Sequence, residues 1–130
     1  MTSLLPSLIV RYSLVLLFLW FSFHQLVTPE AWTIYLPEWT GYMPIPGEML
    51  VRLNAWFELI FAIALALGLF TRFVSALLGL HLLVIAISVG SAIGARDGVL
   101  ALCTLSLTVA KPDAWTMDRR AENLKKPEVF

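Results

Sequence analysis

Along the chain, apolar residues gather into four long runs separated by short breaks that carry Gly, Pro or charged residues. The first run occupies residues 4–27, is interrupted by Arg11 and closes on His24 and Gln25. The second covers 51–70 and the third 73–94, while the fourth, 96–110, is long enough only when Arg96 and Asp97 are counted in. A hydrocarbon core ~30 Å thick takes about 20 apolar residues to cross as a helix. Period-two alternation is missing and the runs far exceed strand length, which argues against a barrel. The pattern predicts an all-α protein, an integral membrane four-helix antiparallel bundle.

The connections refine this picture. Gly68, Leu69, Phe70, Thr71 and Arg72 between the second and third runs predict a tight antiparallel hairpin, and a similarly short junction falls at 90–94. The first loop, 28–50, is longer and carries Trp32, Tyr35, Leu36 and Trp39 at i, i+3, i+4 and i+7, one face of a helix. Thr28 is placed to cap it with Pro29 at its first position, and Pro37, Pro44 and Pro46 end regular structure. Because Trp and Tyr favour the headgroup level, the reading is a short interfacial helix covering one end of the bundle. The first run lacks a basic cluster before it and a small-residue cleavage site after it, so it is read as a retained helix. Residues 1–110 thus form the membrane domain and 111–130 a polar cytoplasmic tail.

Composition agrees. Of 130 residues, 59% are hydrophobic and 14% charged, against roughly 45–50% and about 25% in soluble domains. A soluble chain this small would expose large apolar patches. Nine basic residues balance nine acidic ones, so no global field draws nucleic acid. Cys103 is the single cysteine, which rules out an internal disulfide or a CxxC pair. Lys111, Arg119, Arg120, Lys125, Lys126 and Arg72 face one side, whereas the first loop carries Glu30, Glu38 and Glu48. The bias in Lys and Arg places both termini in the cytoplasm.

A charge at the centre of a lipid-exposed helix costs at least ~2.5–3.5 kcal/mol, so ionisable residues inside the runs turn inward and find partners. The candidates are Arg11, His24, Glu58, His81, Arg96 and Asp97. At ~1.5 Å per residue, Glu58 lies about 10 Å below the outer start of the second helix. His24, Gln25, Asn54, Arg96 and Asp97 fall at that same end and complete an outer cluster, while Arg11 and His81 belong nearer the inner leaflet. A direct Arg11–Glu58 bond lies within a turn's latitude in the boundaries. Stripes of small or weakly polar residues support close packing: Asn54, Glu58, Ala62 and Ala66; Asp97, Ala101, Thr104 and Thr108; His81, Ser88 and Ala92.

Each candidate has a structural and a functional reading. Glu58 with Arg96 is either an ion pair fixing helix packing or a proton-handling and ligand-contacting site. His24 reads as an interfacial hydrogen bonder, and His81 as a satisfied core histidine or a donor to a quinone carbonyl. Arg11 reads as snorkelling toward phosphates, and Cys103 as a small apolar residue. Two histidines on separate helices do not suggest a metal site. No Gly-rich phosphate loop or nucleophile elbow occurs, and no residue is assigned a catalytic role.

Several segments carry a family resemblance: "LFLWFSFHQLVTPEAWTIYLPEW" after Arg11, "FELIFAIALALGLFTRF", "ALLGLHLL" and "ARDGVLAL". In order and spacing they resemble the DoxX-like group of small four-helix membrane proteins. That resemblance implies a multi-pass protein of a prokaryotic cytoplasmic membrane, with Arg11, Glu58, Arg96 and Asp97 as the polar core of any site. Relatives include the membrane subunit of a thiosulfate:quinone oxidoreductase and a component of a membrane oxidoreductase complex. Where relatives commonly carry Lys after the helix-one glycine, this chain has Ser22, His24 and Gln25.

Three functions follow as expectations. The first is a quinone-linked oxidoreductase subunit, with Arg96 or His24 donating to a carbonyl and Glu58 or Asp97 handling the proton. Apart from a quinone the chain is expected to hold no cofactor of its own, so electrons come from a partner. The second is a non-catalytic accessory subunit of a larger membrane complex, and the third a small oligomeric transporter. The expected partners are the lipid bilayer and other membrane subunits or further copies of the chain, with no nucleic acid.

Overall fold

The computed structural model describes residues 5–110 and 115–125. Lys111 and Lys126 of the charge count lie outside the described residues. The chain forms α1 (Leu5–Val27), α2 (Pro29–Trp32), α3 (Gly47–Leu67), α4 (Thr71–Val89), α5 (Ser91–Val109) and α6 (Met117–Lys125). Four of these, α1, α3, α4 and α5, are long and apolar enough to cross a membrane. The shortest have 19 residues, about 28 Å of helix at 1.5 Å per residue.

The four helices pack as two antiparallel pairs. Along α1 and α3, Arg11 reaches Leu65 and Gln25 reaches Glu58. Along α4 and α5, Ser75 meets Thr108 and Gly79 lies against Leu105. Lighter contacts between α3 and α4 and between α1 and α5 close the bundle. Its core joins Leu14, Val15 and Phe18 of α1 with Ala62 and Leu65 of α3, Val74, Leu78 and Leu82 of α4, and Ala101 and Leu107 of α5. The α4–α5 pair is the closest because small residues line its seam: a Cβ at Gly79 would stand 2.6 Å from the Leu105 side chain. Leu16, Ile60, Leu80, Val84 and Leu102 remain exposed on the outside, the apolar surface that a bilayer covers.

Helix ends differ from the hydropathy boundaries for local reasons. α3 starts at Gly47, four residues before the apolar run, because Pro46 stands at its N-cap and Glu48 suits the first turn. It stops at Leu67: Gly68 is left-handed (φ 69°), its N–H bonds Leu65 O and the Leu69 N–H bonds Ala64 O, a Schellman ending. The third apolar run is not one helix to residue 94. Gly90 adopts φ 65°, ψ −161°, a region open essentially to glycine alone, and the chain reverses there. Ser91–Gly94 therefore belong to α5, and Ala92 does not share a helix with His81.

The aromatic face of the first loop folds as a single α-turn, α2, followed by 3-10 segments at Thr33–Tyr35 and Glu38–Tyr42. Leu36 is extended (ψ 137°), as a residue before proline must be to clear the Pro37 ring. Pro29 does open α2, but the Thr28 hydroxyl donates back to His24 O rather than capping.

The tail contains structure that composition did not announce. Thr116 caps α6, its Oγ1 accepting from Arg119 N–H at 3.2 Å. Asp118 then reaches back across the sequence and accepts from Phe70 N–H at 2.8 Å and Thr71 N–H at 2.7 Å. Its own N–H bonds Gly68 O. These bonds occupy donors that α4 would otherwise leave bare, since Phe70 at its N-cap offers no side-chain oxygen. They also hold Phe70 in a left-handed conformation (φ 46°) that costs roughly 1–2 kcal/mol for an L-residue.

Two outcomes test this account. Asp118→Ala should lower unfolding stability in micelles by about 1–2 kcal/mol and expose α6 to protease, with Asp118→Asn intermediate. Gly90→Ala meets no neighbouring atom within 4 Å, so its cost, about 1–3 kcal/mol, should be torsional and should not be relieved by trimming neighbours.

Candidate functional site

The inward face of α3 reads Val51, Ala55, Glu58, Ala62 and Leu65, a helical stripe in which one carboxylate stands among small residues. α1 presents Arg11, Leu14, Val15, Phe18, Ser22 and Gln25. Where these stripes meet, Glu58 is 4% exposed and its carboxylate is surrounded by amides. Gln25 Nε2 donates to Oε2 at 3.0 Å and Asn54 Nδ2 donates to Oε1 at 3.1 Å. Asn54 Nδ2 also donates to Gln25 Oε1 at 2.8 Å, closing a ring of three side chains on two helices. Burying a carboxylate is tolerable only with such partners.

α4 adds the fourth member. His81 Nε2 stands 3.7 Å from Glu58 Oε1, and the imidazole lies against the Phe57 ring, centroids 4.7 Å apart and planes inclined by 47°. That distance is too long for a hydrogen bond, and Nε2 is buried with no hydrogen-bond partner. When the imidazole carries both protons, the contact is an ion pair. Placing His81 near the inner leaflet is thus corrected. Counted from the true helix starts, Glu58 is eleven residues into α3 and His81 ten into α4, about 16 and 15 Å at 1.5 Å per residue. Both are near mid-helix.

The remaining candidates fall elsewhere. Arg96 does not pair with Glu58: its Nε donates to Asp97 Oδ1 at 2.9 Å and its side chain is 57% exposed. Asp97 is buried on the inward stripe of α5 with Ala101 and Thr104, outside the Glu58 ring. His24 turns away from the cluster, its Nδ1 on Trp20 O at 2.9 Å and its ring 4.1 Å from the Trp20 ring. Arg11 does not snorkel. It is 1% exposed, and its Nη1 donates to Leu65 O and Ala66 O at 2.7 and 2.8 Å. A guanidinium at a helix C-terminus answers both the terminal carbonyls and the negative dipole end. It sits seven residues along α3 from Glu58, about 10 Å away, so no Arg11–Glu58 bond forms. Ser88 faces outward and bonds Val84 O, and Cys103 is a half-buried free thiol against the core.

The arrangement provides a buried acceptor oxygen pair and an imidazole one step away with an unused ring nitrogen. Such a pair is suited to holding and passing a proton or to donating a hydrogen bond to a third group between helices.

Gln25 and Asn54 carry the site as much as Glu58 does; the signal for Asn54 was its place one helical turn before Glu58, and for Gln25 its place at the same end of the bundle. Thr116 and Asp118 lie outside the expected site, and their signal was an N-cap residue with an acid two positions later.

Replacing Asn54 by Leu should leave Glu58 short of a donor and destabilise the fold by about 1–3 kcal/mol, read as thermal unfolding in micelles. Asn54→Asp should be worse, because it sets a second carboxylate against the first.

Against known proteins, the DoxX family model matches residues 7–91, well over half of the chain. The matched stretch includes Arg11, Gln25, Asn54, Glu58 and His81 and ends before Arg96. No curated protein and no solved structure matches the chain.

Proposed function

The chain belongs to the DoxX family, and from that premise we propose that it is the membrane subunit of a quinone-linked oxidoreductase. The reading includes a prokaryotic cytoplasmic membrane with both termini on the cytoplasmic side, as the Lys and Arg bias favours. The observation that carries it is the buried, unpartnered Nε2 of His81 beside the buried Glu58 carboxylate. A buried ring nitrogen without a partner suits, in the tautomer that carries its proton on Nε2, a carbonyl oxygen, and the Phe57 ring next to it suits a planar head. A bound quinone supplies two-electron, two-proton redox chemistry.

The chain's own residues supply the rest. His81 holds the ligand through Nε2, taking the donor role expected of Arg96 or His24. Glu58 takes or gives the proton, and Gln25 and Asn54 stabilise its charged form through their amide N–H groups. Electrons arrive from a partner subunit, because the sequence carries neither a cysteine cluster nor a flavin motif.

A second reading, a non-catalytic accessory subunit, is favoured by one feature: Glu58 already accepts from two amides inside the fold. His81→Phe separates the two, since it keeps the ring packing on Phe57 and removes the nitrogens. In the protein purified from native membranes, the variant should keep its partner subunits and lose about tenfold in retention of a quinone analogue. Loss of partners with quinone retention unchanged would establish the accessory role instead.

A further inference from the structure

The bundle end that carries the α3–α4 turn holds an open groove of about 410 Å3 lined by Tyr12, Ala66, Leu67, Trp115, Met117 and Arg120. We propose that this groove seats the headgroup of an anionic phospholipid, with Arg120 holding the phosphate. Three features lead there, and none involves the Glu58 site.

The first is level. Tyr12 belongs to the second turn of α1, and Ala66 and Leu67 are the last residues of α3. The groove therefore opens where the spanning helices end, which is where headgroups begin. The second is the lining. Trp115 is 66% exposed and meets the Tyr12 ring edge-on at 5.9 Å, the amphipathic pairing favoured at a membrane–water boundary. Leu67 and Met117 are also exposed and offer apolar surface to the first carbons of an acyl chain.

The third is charge. Arg120 is exposed and makes no ion pair among the described residues. Asp118, two positions before it, accepts from Phe70 N–H on one oxygen and from Thr71 N–H on the other. Glu122 lies two positions after it, and a spacing of two, on either side, sets helical side chains on different faces. Arg119 buries Nη1 without an acceptor, and Arg72 is exposed in the first turn of α4. Among the described residues, this end of the molecule carries Arg72, Arg119, Arg120 and Lys125 against Asp118 and Glu122. A phosphodiester with net negative charge answers that excess, through the short charge-assisted bonds that guanidinium and phosphate form. A zwitterionic lipid carries the same phosphate but cancels its charge.

The test uses the full-length protein in nanodiscs of phosphatidylcholine mixed with phosphatidylglycerol, with retained lipid counted by native mass spectrometry. The wild-type protein should retain phosphatidylglycerol over phosphatidylcholine by about fivefold. Arg120→Gln should abolish that preference without moving the thermal midpoint, and Arg120→Lys should keep most of it. Equal retention of the two lipids by the wild-type protein overturns the proposal, whatever the variants do. So does a preference that survives in Arg120→Gln. Displacement of phosphatidylglycerol by millimolar inorganic phosphate would assign the groove to a free anion and overturn the lipid assignment.

Discussion

An ionised carboxylate inside a bundle that faces lipid has no water to turn to, so its hydrogen bonds must come from neighbouring helices. Glu58 meets this demand through Gln25 on α1 and Asn54 on its own helix, with His81 of α4 standing just beyond bonding distance. That requirement sets the rotation of α1 and α3 about their axes and brings α4 to the same point. Around it, small residues such as Ala55 and Ala62 keep α3 close to its neighbours. The bulkier side chains are left to fill the core or to meet acyl chains.

The same logic governs the other end of the molecule, with helix termini in place of a carboxylate. The last carbonyls of α3 and the first N–H groups of α4 meet at one turn, and neither set has a local side chain to satisfy it. Arg11 takes the carbonyls from α1, and Asp118 takes the N–H groups from α6. The turn is thereby clamped between the first helix and the tail. Both charges are engaged in structure, whereas within the spanning helices Glu58 and His81 stand as a buried ionisable pair with an unpartnered ring nitrogen. The site sits near mid-helix and the clamp at the helix ends, so a perturbation of one is separable from the other.

Much of the architecture was legible because hydropathy reports directly on what a bilayer demands: segment length, helical rather than strand periodicity, and inward placement of Glu58 and Asp97. The small-residue stripes on α3 and α5 were legible for the same reason. Less visible were the helix starts and stops. Pro46 begins α3 ahead of its apolar run, and the unusual torsions of Gly90 divide an uninterrupted one. Each shift moves every depth estimate counted from that helix end. This is why Glu58 and His81, assigned to opposite leaflets by hydropathy, meet near the middle.

By itself, then, the amino-acid order determined that four helices are long and apolar enough to cross a bilayer, that Glu58 and Asp97 turn inward and that few charges would be buried. These are properties of each segment alone with its solvent. Only the tertiary structure decided the partners: Glu58 with Gln25 and Asn54 rather than Arg96, Arg11 with carbonyls rather than phosphates, and Asp118 with a turn nearly fifty residues away. Partner choice depends on the register and rotation of one helix against another. Those follow from side-chain packing across the seam, which no single segment's pattern contains.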